Sequence, residues 1–198
     1  VEEDVEAYIS SPRENGTTNF AVSIGPARWI VLDTNQETDA QVAWLEQELS
    51  RPSTQKATFK IVLCHIPPFI EFWDPAAWNQ KGESAWPVYV RSRMVPLFEK
   101  GRVDLVMSGH QHNYQRGLKN GVNYIISGGA GGDLDADRVA DHAVYRTTII
   151  AHHYLRMSMS RAGLAIRAYS VSDNKLIDSF YIPRSIARKM KPSEMLPQ

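Results

Sequence analysis

The 198 residues, 43% of them apolar, suffice for one sizeable core and leave little room for two. Lysine plus arginine and aspartate plus glutamate each count 22, so no net field holds the chain on a nucleic-acid backbone or an anionic membrane, and any anion must be bound locally. The single cysteine, Cys64, excludes an intrachain disulfide and a thiolate-rich metal site, and no apolar run approaches the ~18 residues that span a bilayer.

The acidic start VEEDVEAY lacks an initiator methionine and the basic-then-apolar order of a signal peptide, which predicts a piece of a longer chain or a processed one. SPRENG is turn chemistry, and TNFAVSI with RWIVLD reads as two strands joined by the GPA turn, leaving Asp33 at a strand end. Thr38 or Asp39 can cap a helix on which Val42, Leu45 and Leu49 recur at three- and four-residue spacing, ended by Arg51-Pro52. FKIVLC is the unbroken apolar run of a strand covered on both faces. It buries Cys64, delivers His65 at its C-terminal end, and is stopped by Pro67 and Pro68.

From Phe69 to Trp86 the chain is rich in aromatics, Trp73, Trp78 and Trp86 among them, and reads as a loop that forms a pocket wall or lid. VYVRSRMVPLFEKG has helical spacing and a stop at Gly101, and VDLVMS is a second buried strand, ending in GHQHNYQRG. Beyond it VNYIISGG, RTTIIA, HYLRMSMS, GLAIRAYS and KLIDSFYI are five strand candidates separated by turn residues. The front therefore reads as α/β and the C-terminal part as strand-rich. Residues 184–198 read as a basic C-terminal tail.

Two buried strands that each end in histidine carry the chemistry: His65 after the first, His110 and His112 after the second. In α/β sheets ligands gather outside the carboxyl ends of the strands, so three imidazoles can face one crevice. Gly109 allows a sharp turn beneath them. The spacing of His110 and His112 points both rings one way if extended, or offers them to two neighbouring ions if the loop turns. Neutral imidazole is a good ligand for zinc or iron. His142, His152 and His153 read as ordinary polar residues.

GHQHNYQR resembles the GHxH block of calcineurin-like phosphoesterases, and the longer pattern GHxHxYxR is similar to purple acid phosphatases and their bacterial relatives. RWIVLDTN, VLCHIPPF, YIISGGAGG and HHYLRMSMS agree in order, from about Asn19 to Ile182. The resemblance implies the C-terminal half of a four-layer α/β/β/α sandwich, with residues 1–183 the C-terminal part of a single metallophosphoesterase domain. It implies metal-dependent hydrolysis of a phosphomonoester or phosphodiester small-molecule substrate at a two-metal site. His65 and His110 would bind the second metal and His112 the first, the two ions being Fe, Zn or Mn. Tyr114 and Arg116 would buttress the loop, and Asp33 stays outside the metal set.

The family's aspartate-rich first strand and its GD and GNH blocks do not occur here. The remaining catalytic groups are therefore expected on a companion N-terminal segment or chain, which should also supply some strand neighbours of FKIVLC and VDLVMS. The loop after HIPP lacks the histidine that purple acid phosphatases tend to carry there. The competing reading is a catalytically incomplete pseudoenzyme or assembly subunit that keeps the fold.

Overall fold

The computed structural model describes residues 9–10 and 18–184. The SPRENG turn and all of the basic tail after Arg184 lie outside the described residues. The strands are β1 Ile9–Ser10, β2 Phe20–Ile24, β3 Ala27–Leu32, β4 Phe59–Cys64, β5 Leu105–Ser108, β6 Tyr114–Lys119, β7 Val122–Ser127, β8 Tyr145–Ile149, β9 His153–Met159, β10 Gly163–Ser170 and β11 Leu176–Pro183. The helices are α1 Asp39–Ser50, α2 Pro52–Lys56, α3 Pro75–Lys81, α4 Ala85–Tyr89 and α5 Val95–Lys100.

An eight-stranded sheet runs in the order β1-β2-β3-β4-β5-β7-β6-β8, and β11-β10-β9 form a second sheet. The alternating residues of β4 divide between two cores. Val62 and Cys64 face one containing Leu45 and Leu49 of α1 and Phe98 of α5. Phe59 and Ile61 face another containing Leu164 and Ile166 of β10 and Ile182 of β11. The order of layers is thus helices, large sheet, small sheet, and among the described residues the second core holds no helical one.

The expectation that a companion segment supplies some strand neighbours of FKIVLC and VDLVMS is corrected. β4 pairs in parallel with β3 and with β5, and β5 pairs in parallel with β4 and β7, so both ladders are filled from within this chain.

Three other segments differ from the sequence reading. The aromatic stretch is not a loop throughout, because Asp74 accepts from the amides of Ala76 and Ala77, Pro75 sits at the first helical turn, and α3 forms. The expected helix after it begins earlier, at Ala85, and widens into a π turn at Val90–Met94 before α5. Pro96 has no amide to donate back to the preceding turn, and the wider turn accommodates it. YQRGLK is a strand, β6, despite its glycine and charges, because β7 and β8 pair with it on both sides.

Candidate metal centre

Register and one left-handed residue bring two of the histidines together. Cys64 and Ser108 are partners at the ends of β4 and β5, and the amide of Gly109 donates to the carbonyl of His65 at 3.1 Å. The next residue, His110, takes the left-handed conformation at φ 67, which turns its ring back toward His65. Nδ1 of His110 and Nε2 of His65 stand 3.3 Å apart, with the rings edge to face. Two nitrogens at about 2.0–2.1 Å from one tetrahedral ion are themselves roughly 3.3–3.4 Å apart, so this pair fits a shared metal. Burial, then the neighbouring His65, pushes His110 down to about 4, while Asp135 works the other way. The ring is therefore neutral at pH 7, the form that can donate a lone pair.

His112 is held separately. Its Nδ1 lies 2.8 Å from the carbonyl of Asp133 and so donates there, which leaves Nε2 as the free lone pair. Its amide donates to Asp135 Oδ2 at 2.7 Å, and Asn113 Nδ2 donates to the carbonyl of Asp135 at 3.0 Å. Among the described residues no three His, Cys, Asp or Glu side chains gather closely enough to hold a metal ion. Of the three imidazoles, those of His65 and His110 are in contact.

The glycines of SGGAGG allow this approach. A Cβ on Gly128 would stand 2.0 Å from the carbonyl oxygen of Gln111, and one on Gly132 would stand 2.6 Å from Cε1 of His112. Gln111, fully buried, donates to the carbonyl of Phe72 and so ties the histidine loop to the aromatic segment. That segment is held in turn by buried Glu71, which accepts from Arg138 at 2.8 Å and from the amide of His142 at 2.9 Å. Tyr114 and Arg116 converge on Asp178 of β11, at 2.7 Å and 2.6 Å, and thereby pin β6 to the small sheet. Sequence reasoning missed Glu71, Gln111, Asp133, Asp135 and Asp178. Only the acid-rich DLDAD that follows SGGAGG offered a visible signal.

Asp33 and His153 are held by structural hydrogen bonds. Asp33 accepts from Thr18, from Gln36 Nε2 at 2.9 Å and from the amide of Asn35 at 3.2 Å, and these bonds, Thr18's foremost, hold its carboxyl below the usual range despite some burial. Burial pushes the Cys64 thiol up to about 11, so it is no reactive thiolate. His153 is buried, its Nε2 2.9 Å from Ser127 Oγ, while His152 is exposed.

A model of the calcineurin-like phosphoesterase family matches residues 9–114, more than half of the chain. The chain belongs to that family. The purple acid phosphatase-like branch is supported by the relatives. The chain is 26% identical over 160 residues to serine/threonine-protein phosphatase CPPED1 of Rattus norvegicus, covering 75% of this chain and 50% of that protein. It is 24% identical over 189 residues to probable inactive purple acid phosphatase 1 of Arabidopsis thaliana, covering 83% of this chain and 30% of the relative.

Among solved structures, a purple acid phosphatase from yellow lupin (Lupinus luteus) seeds superimposes with a TM-score of 0.75 at 21% identity, over 96% of this chain and 37% of that one. GAP50, described as the anchor in the inner membrane complex of Plasmodium, gives 0.64 at 17% identity, over 90% and 54%. The fold is that of the metallophosphoesterases, and the chain spans half or less of the length of the curated relatives named here.

Proposed function

We propose that this phosphoesterase chain supplies the histidine part of a two-metal site that hydrolyses phosphoesters. The observation that carries the proposal is the His65–His110 contact at 3.3 Å, at the carboxyl ends of adjacent parallel strands. His65 Nε2 and His110 Nδ1 would hold one ion and His112 Nε2 the other. When bound, such ions polarise phosphoryl oxygens and lower the pKa of a bound water. The chain's own work is orientation. The left-handed turn at His110 aims its ring, the Asp133 carbonyl fixes the tautomer of His112, and Asp135 fixes the backbone between them.

The decisive experiment uses the complete protein, with whatever segment or chain accompanies residues 1–198. His65→Ala and His112→Ala are expected to lose bound metal and to abolish turnover of p-nitrophenyl phosphate and bis(p-nitrophenyl) phosphate, while circular dichroism stays native. Full activity in either variant overturns its role as a ligand. A second reading, a fold-keeping assembly subunit without catalysis, is supported by the lack of a three-ligand group among the described residues and by a relative named as probably inactive. A folded complete protein that retains no metal and hydrolyses neither ester would establish it.

A further inference from the structure

Beside the histidine pair lies a cavity of about 330 Å³, walled by Ile70, Trp73, Trp78 and Trp86, with Lys81 and His110 in its lining. Its position is set by contacts to the candidate centre. Trp73 stacks on the His110 ring at 5.0 Å and 18°, and Trp86 meets the same ring at 6.4 Å and 76°. One side of the cavity is therefore the imidazole whose Nδ1 faces His65. Trp78 and Lys81, three residues apart on α3, share a helix face.

Packing among the described residues does not account for the arrangement. α3 buries none of its residues, and Trp86 remains 43% exposed, so large flat surfaces are left to solvent around a concavity of ligand size. Indole faces favour planar π systems over aliphatic groups. Lys81 makes no ion pair among the described residues and is exposed, so its charge is available to an anion approaching the cavity.

We infer that this cavity recognises the planar aromatic group of a phosphoester, seating the ring among Trp73, Trp78 and Trp86 while the phosphoryl group lies on the His110 side. The inference deepens the proposed hydrolytic reading by naming its substrate class, and it rests on that reading. Aryl esters and nucleotides share the chemistry.

The test again uses the complete protein. Calorimetric binding of naphthyl phosphate, adenosine monophosphate and glycerol phosphate is measured after metal removal, and kcat/KM for the same esters with metal restored. Naphthyl phosphate or the nucleotide is expected to bind about tenfold or more tightly than glycerol phosphate. The preferred one of the two identifies the source. Trp78→Ala should erase most of that preference, and Trp78→Phe should restore it. Trp86→Ala provides the same readout should Trp78→Ala fold poorly. Equal binding of aromatic and aliphatic esters, or a preference untouched by both alanine variants, overturns the inference. Preferential binding with no hydrolysis of any ester upholds the pocket and overturns the hydrolytic reading.

Discussion

Gly132→Ala probes the candidate centre without replacing a proposed ligand. A Cβ at this position would stand 2.6 Å from Cε1 and 2.7 Å from Nδ1 of His112. Carbon atoms rest at about 3.5–4.0 Å, so the imidazole or the loop must retreat by roughly 1 Å. The ring has little freedom to do so, because its Nδ1 is bonded to the Asp133 carbonyl at 2.8 Å and its amide to Asp135 at 2.7 Å. A misplacement of that size costs on the order of 10²-fold in rate where geometry controls the chemistry. Gly131→Ala is the matched control, since a Cβ there meets nothing within 4 Å. In the complete protein, Gly132→Ala should lower kcat/KM for p-nitrophenyl phosphate about a hundredfold and shift the His112 imidazole resonances, with Gly131→Ala at the wild-type level. Equal activity in the two variants, with unshifted His112 resonances, would refute the reasoning.

Two further outcomes concern stability. Asp178→Asn removes the carboxylate on which Tyr114 and Arg116 converge and should destabilise by about 2 kcal/mol in urea unfolding. Burial works to raise the Asp178 carboxyl, but the Arg116 and Tyr114 bonds outweigh it and hold it below its ordinary 3.8. Its folded-state value being depressed, the stability it contributes is present above about pH 4 and lost as pH falls further; Asp178→Asn should flatten that acid limb. Glu48→Ala should cost about 3–5 kcal/mol in the same assay, because it removes the carboxylate that faces Arg28 at 2.8 Å with both side chains fully buried. A loss under about 1 kcal/mol would contradict the assigned burial.

Legibility followed the range of the interactions. β4 and β5 were readable because unbroken apolar runs specify strands covered on both faces, and their terminal histidines came with them. The inward face of α1 was readable only in part. Leu45 and Leu49 are buried as the spacing predicts, but so are Gln41 and Glu48, polar residues that periodicity assigns to water. Gln41 is buried because its amide bonds both the N–H and the C=O of Asp33, and Glu48 because it meets Arg28. Asp178 could not have been found, since its partners lie some 60 residues away on another sheet. The same holds for Glu71 and Arg138, which close the aromatic segment from a distance.

The proposed ligand pair and the aromatic cavity hang from parts of the fold with unequal resistance to opening. His65 and His110 follow strands whose ladders are filled on both sides, whereas Trp78 and Lys81 ride on a seven-residue helix with no buried residue. Amide exchange should therefore run fast through α3 and slow through β4 and β5. The cavity can then breathe to admit or expel a ring while the imidazoles keep their spacing. Variation among descendants could retune what is recognised through the short helix alone, leaving the reacting centre untouched.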